Sequence, residues 1–329
     1  MPKRDTAQKA TPKKAYRVRN WNKYNQALVD RGSITLWFDE EVIKTWHQTE
    51  KTGRRGRPQE YNDVVIRCGL TLKALFHLPF RGTEGLIKSL VKMLGIKVSV
   101  PDYTLLCKRQ GQLQVSLPLQ ARQSGEDLHL LIDSTGLTVF GEGEWKVRQH
   151  GWCKHRLWRK LHVAFNEKTQ EIESFELTDL GVQDCEGVPL LLEKVESPIA
   201  SVIGDGAYDR FSCYEQAQCG GFNLITPPQK NAKTAKERPR NKKKASPEAV
   251  KKRDQVIERS REVGRAAWKV EAGYHRRSLA ETGMFRIKRL LGNRLTAKKF
   301  EHQKVEAAIW CRIINKVTAL GMPVSVAIN

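Results

Sequence analysis

From residue 61 onward the apolar positions fall at helical spacing. Asn62 or Asp63 can cap a helix carrying Val64, Val65, Ile66, Leu70, Leu72 and Leu75, and Pro79 breaks it. Thr83 and Glu84 open a second predicted helix with Leu86, Ile87, Leu90, Val91 and Leu94, stopped by Gly95. A third begins at Pro101-Asp102 and runs through Tyr103, Leu105, Leu106, Lys108 and Arg109. At residue 128 the period changes. Leu128-His129-Leu130-Leu131-Ile132 is the nearly continuous apolar run of a buried strand. Leu137-Thr138-Val139-Phe140 follows as a second strand, and 161–165 and 172–177 flank a turn at 166–170 as a hairpin. Helices are predicted over 188–195 and 211–217, and strands over 201–203 and 222–226. The order strand, strand, strand, helix, strand, helix, strand is that of an α/β, RNase H-like core. Three antiparallel strands are followed by a right-handed parallel crossover.

The flanks read differently. Residues 1–60 are basic and interrupted by Pro, Gly and Asn, which predicts a flexible arm. Within it, Gly53-Arg54-Arg55-Gly56-Arg57-Pro58 has the form of an AT-hook core, and Arg55 and Arg57 could lie in a narrow minor groove. A solvated linker is the alternative. Between Lys230 and Arg253 there are eleven basic residues and two acids, so this stretch is a solvated loop or a DNA-contacting insertion. Pro247 favours a helix starting near Ser246. From Val256 to Leu291 the chain is mostly helical, with an interruption near Gly273, and Val305 to Leu320 reads as a packed last helix. The expected organisation is an arm (1–60), a helical domain (61–120) and a catalytic domain (125–320) with a basic insertion at about 228–265.

Charge sharpens this picture. Lys plus Arg number 58 against 36 Asp plus Glu, a net +22 over 329 residues. Such an excess points to a polyanionic partner, nucleic acid first. It turns the three short helices, the last ending in Lys108 and Arg109, from an ordinary bundle toward a helix-turn-helix-like DNA-binding region. No apolar run approaches the length of a membrane span, and the N-terminus lacks the apolar stretch of a signal peptide. Seven cysteines with no C-x-x-C argue for reduced thiols in a cytoplasmic protein.

Two aspartates follow buried strands directly: Asp133 after Leu130-Leu131-Ile132, and Asp205 after Val202-Ile203-Gly204. Neighbouring strand ends lie about 4.8 Å apart. Carboxylates that close repel unless protonated or bridged by a hard cation such as Mg²⁺ or Mn²⁺. Farther on, Tyr274, Arg277, Glu281 and Lys288 stand at offsets 0, 3, 7 and 14, within roughly 60° of one another on an α-helix. That face presents a carboxylate able to join the pair, two cations for phosphates and a phenol. A surface ion-pair stripe explains the spacing alone, but not the two strand-end aspartates.

The run Tyr274-x2-Arg277-x3-Glu281-x6-Lys288 resembles the signature of bacterial insertion-sequence transposases of the D-D-E type. Leu131-Ile132-Asp133-Ser134-Thr135 and Gly204-Asp205-Gly206-Ala207-Tyr208 resemble that group's first and second catalytic stretches. The likeness is closest to the insertion-sequence-five family and covers about residues 60–315. The resemblance implies a catalytic triad of Asp133, Asp205 and Glu281, two Mg²⁺ or Mn²⁺ ions, and strand transfer on double-stranded DNA. It also implies transposon-end contacts from Tyr274, Arg277 and Lys288, and a homodimer to pair two ends. A nuclease or resolvase on the same fold, or a non-catalytic DNA-binding regulator, are the competing readings.

Overall fold

The computed structural model describes residues 15–47, 59–120, 127–139, 158–240 and 244–328. The AT-hook-like Arg55 and Arg57 and the first fourteen residues lie outside them. Strand β1 (Ala15–Val18) and helices α1 (Trp21–Asp30), α2 (Ile34–Trp37) and α3 (Glu40–Lys44) come first. They precede α4 (Asp63–Leu75), α5 (Phe80–Met93) and α6 (Tyr103–Gln110). The α/β core holds β2 (Leu128–Thr138), β3 (Trp158–Asn166), β4 (Ile172–Asp179), α7 (Asp184–Leu192), β5 (Ile199–Ile203), α8 (Phe211–Gly220) and β6 (Asn223–Ile225). Helices α9 (Pro247–Glu262), α10 (Arg265–Glu271), α11 (Ser278–Leu291) and α12 (Phe300–Leu320) follow, and β7 (Ser325–Ile328) closes the chain.

The sheet order is β4-β3-β2-β5-β6, with the first three strands antiparallel and β2-β5-β6 parallel. This mixed five-stranded sheet flanked by helices is the RNase H-like core expected from the strand order. Its central strand corrects one expectation. Residues 128–138 form one strand, not two, so Asp133 sits inside β2 rather than after it. The polar run Asp133-Ser134-Thr135-Gly136 stays extended because every one of its residues is paired with β3, Asp133 with Val163 and Gly136 with Lys160.

Alternation along β2 sends Leu131 and Leu137 to one face and Leu128, Leu130 and Ile132 to the other. The second face packs on α7 and α8 through Val188, Leu191, Tyr214 and Ala217, and on Tyr208 between them. The first packs on α11 and α12. Burial on both faces is why β2 reads as a continuous apolar run.

Helix α12 is buried on almost all sides because the sheet lies on one side and α4 and α6 on the other. Its buried Asn315 amide is fully used: it donates to the carbonyls of Pro118 (3.1 Å) and Ile172 (2.9 Å) and accepts from the Ile172 N–H (2.7 Å). The helices over 61–120 thus share one hydrophobic core with the five-stranded sheet. The arm expectation is also corrected from residue 15 on. Trp37, Phe38, Val42 and Trp46 are buried in that same core, and β1 pairs with β7. These large apolar residues were the available signal. The short helices carrying them are too brief to show a period.

Local signals account for most element starts. Asn62 accepts from the Val64 N–H (3.0 Å), Asp102 from those of Thr104 and Leu105, and Ser246 from that of Ala249 (3.4 Å). Helix α5 begins at Phe80, ahead of the expected Thr83, because Pro79 caps it in an extended conformation and its carbonyl accepts from the Thr83 hydroxyl. Helix α7 begins at Asp184 under a Gln183–Glu186 capping box, so Asp184 is its first residue and not its cap. Among the described residues no helix is long and apolar enough to cross a membrane.

Candidate active site

Register brings the first two acids together. Leu131 of β2 is paired with Ile203 of β5 in parallel, and Asp133 and Asp205 each lie two residues beyond that pair. Both are pinned by backbone donors: the Ser134 N–H to Asp133 (2.9 Å) and the Ala207 N–H to Asp205 (2.8 Å). Asp205 caps a single 3-10 turn, Gly206–Tyr208, and its carbonyl accepts from the Thr226 hydroxyl (2.6 Å). Gly204 permits that turn. A Cβ there would lie 2.6 Å from Cδ2 of the buried Tyr208 ring.

The third acid arrives on α11. The expected continuous helix from Tyr274 is a 3-10 turn (Tyr274–Arg277) followed by α11, because Gly273 at φ +65° resets the chain direction. Glu281 therefore lies in the first turn of α11. A tight helix–sheet approach at Gly283 supports it, since a Cβ at this position would lie 2.5 Å from Cζ of the buried Phe165. Gly283→Ala is expected to cost about 1–3 kcal/mol through overpacking, less the gain in helix propensity. Urea unfolding checks this; an unchanged midpoint would contradict the close-approach argument.

A single cation lies among the three acids. Arg277 Nη2 stands 3.5 Å from Asp133 Oδ1 and 3.7 Å from Asp205 Oδ2, and Nη1 is paired with Glu281. Burial opposes its charge, but Asp133, Tyr274, Asp205 and Glu281 outweigh it and hold the guanidinium above its ordinary pKa. Burial pushes the Asp133 carboxyl up, against the pull of Arg277. Among the described residues no group of three or more His, Cys, Asp or Glu side chains is gathered as a formed metal site. The guanidinium of Arg277 stands between the three carboxylates. The donor set itself fits a hard divalent cation: three carboxylates from three elements, all within ion-pair reach of one positive group.

A thermal consequence follows. Arg277→Ala leaves three carboxylates facing one another. Melting in EDTA should show a loss of about 1–2 kcal/mol, and Mg²⁺ should stabilise the variant more than the wild type. Equal Mg²⁺ increments in both proteins would contradict a resident counter-ion role.

The other sequence-derived candidates are distributed unevenly. Tyr274 is half-buried, its ring 6.5 Å from that of Trp268 and under the Lys269 ammonium at 5.2 Å. Lys288 and Lys108 are exposed. Arg109 is buried, ion-paired with Asp63 and donating to the Tyr61 carbonyl (3.2 Å), so it holds α6 against α4 rather than facing solvent. His162 is fully buried beneath Gly187, with Nε2 on the Thr178 hydroxyl (3.0 Å). Lys160 donates to the Val182 carbonyl (2.8 Å) and pairs with Asp184 (3.3 Å).

Sequence reasoning underrated Asp209. It is fully buried and binds Arg253 of α9 through both oxygens, at 2.8 and 3.0 Å, while Oδ2 also accepts from the Gln229 N–H (2.9 Å). Arg253 covers the Phe211 ring and donates to the Lys233 carbonyl (3.3 Å). The basic stretch is thus not a free loop. It is tied at Asp209, four residues after Asp205, and by Arg261 to Glu237. The D-x-x-x-D spacing was visible, but only a fold could show its partner.

The RNase H-like sheet thus carries two acids on neighbouring strands, and a third lies on α11. Comparison with known families agrees. A profile described as Transposase DDE domain matches residues 124–316, and a second with the same description matches 29–142. The first covers more than half of the chain, and the chain belongs to the DDE transposase family.

Proposed function

We propose that the protein is the transposase of an insertion sequence. It binds the element's terminal inverted repeats, cuts the element ends by metal-dependent hydrolysis and joins the 3′-hydroxyls to target DNA. The observation that supports this reading is the convergence of Asp133, Asp205 and Glu281, from β2, the end of β5 and α11, on one cationic group. Two Mg²⁺ or Mn²⁺ ions held by these three residues would supply an activated water and neutralise the leaving 3′-oxygen.

The chain's own residues do the rest. Asp133 and Asp205 are held by strand register and by backbone N–H donors, so their oxygens are aimed before substrate arrives. Glu281, the most exposed of the three, closes the side facing DNA. Arg277, released from the carboxylates, takes a phosphate beside the scissile bond, where its planar fork suits two oxygens. Lys288 and Lys108 contact flanking phosphates, Tyr274 lines the same edge, and Arg55 and Arg57 reach along the duplex. The helices of 61–120 serve as the end-reading unit, 125–320 as the catalytic unit, and 228–265 as its insertion. Two subunits pair two ends on DNA in the bacterial cytoplasm.

Metal-directed cleavage of the polypeptide tests this. Fe²⁺ with ascorbate and peroxide should cut the chain near 133, 205 and 281, and excess Mg²⁺ should suppress the cuts. Cuts elsewhere, or none, would contradict the assignment.

A further inference from the structure

Exposed large apolar side chains gather where the two chain ends meet. Of fifteen large apolar side chains exposed among the described residues, seven belong to one unit: Tyr16, Trp21, Leu28, Val29, Val324, Val326 and Ile328. This unit is the ribbon of β1 and β7 together with α1. It bounds an open groove of about 1250 Å³.

The groove is rigidly framed. Asn20 bridges the turn between β1 and α1 to the entry of β7, donating to the Met322 carbonyl (3.0 Å) and accepting from the Val324 N–H (2.8 Å). The Arg19 N–H donates to the Val324 carbonyl (2.8 Å). Arg17, Arg19 and Lys23, all exposed, line this frame, and among the described residues no acid does. Tyr16 is 66% exposed and Trp21 55%.

We infer that this groove is a binding site for a DNA strand with unpaired bases. Three cations with no acid among the described residues of the groove match a polyanionic backbone. Two exposed aromatic rings, Tyr16 and Trp21 (the latter also packed against Tyr24, centroids 6.2 Å apart), match bases that have lost their stacking partners; the faces of bases inside a duplex are already covered. A second copy of the chain fits poorly. A two-fold contact through this patch would set Arg17, Arg19 and Lys23 against themselves in a protein of net charge +22. The inference rests on the reading that the protein acts on DNA. The strand it would take is one opened during cutting or joining at an element end.

The test is binding of the full chain, in EDTA, to a fluorescein-labelled single-stranded oligodeoxynucleotide and to its duplex, followed by anisotropy. Because both aromatic side chains are exposed, Tyr16→Ala and Trp21→Ala leave the core untouched. Each is expected to lower single-strand affinity by about tenfold or more while duplex affinity holds. Replacing Arg17, Arg19 and Lys23 together by Ala should make the log–log salt dependence of single-strand binding shallower by about two. Unchanged single-strand affinity in the aromatic variants overturns the inference, and so does an equal loss on duplex. A change in oligomeric state with single-strand binding intact would assign the groove to a second copy instead. These outcomes need no catalysis, so a failed cleavage assay would sink the transposase reading while leaving this result to stand or fall separately.

Discussion

Asp133→Ala and Asp205→Ala are each expected to lower DNA end cleavage by at least about a thousandfold, with duplex binding nearly unchanged. Asp133 lies inside β2 and Asp205 just past β5, each two residues beyond the paired Leu131 and Ile203. Removing either leaves a binding surface intact and a ligand set incomplete. The folded protein should tolerate the change. The Asp133 carboxyl is held above its ordinary value of 3.8, first by burial, then by Asp205 and Glu281, against the pull of Arg277. A raised carboxyl pKa favours folding fully below pH 3.8 and loses that contribution as pH rises through the folded value. At neutral pH the charged Asp133 therefore costs stability, and Asp133→Asn should unfold at the same urea concentration as wild type or higher. A variant that keeps cleavage, or one that loses DNA binding in parallel, would count against the catalytic assignment.

Asp209→Ala should be the most destabilising single change near the site, by about 3–5 kcal/mol. Asp209 and Arg253 are both almost completely buried, and the pair is bidentate. Truncating the acid strands a guanidinium in the interior and removes the acceptor of the Gln229 N–H. The double change Asp209→Leu with Arg253→Met, which removes both charges and keeps apolar volume, should recover most of the loss. Urea midpoints of the four proteins measure this. Single variants that each cost under about 1 kcal/mol would show that the pair does not anchor the insertion. Because Asp209 follows the Gly206–Tyr208 turn, the singles should also loosen Asp205 and slow cleavage, and the double variant should restore it.

The order of elements in the core was legible because β2, β3 and β5 carry apolar runs bounded by polar turns, and because the helix caps are conventional. The Asn166 turn is one case. Its side chain accepts from the Lys168 and Thr169 N–H groups, with Gln170 at φ +59°. Asp133 and Asp205 could be read as neighbours, since each directly follows a buried apolar run. Three things could not be read. The break of β2 at Asp133 was inferred from polarity, whereas pairing with β3 carries the strand through it. Arg109 looked like a surface cation, but its neighbour in space is Asp63, 46 residues away in sequence. The pairing of β1 with β7 joins positions about 310 residues apart, which no local pattern encodes. Arg277 is the instructive case. Its spacing from Glu281 fitted either a phosphate contact or an ion-pair stripe, and its side chain reaches all three acids at once.

The most direct test of the central claim is joining of a labelled duplex, ending in the element's inverted repeat, to a supercoiled plasmid, with Mg²⁺, with Mn²⁺ and with EDTA. The account predicts nicking at the repeat's 3′ end and covalent joining of that strand with either metal, and neither in EDTA. Cutting without joining would make the protein a nuclease, and joining in EDTA would contradict the carboxylate–metal chemistry outright.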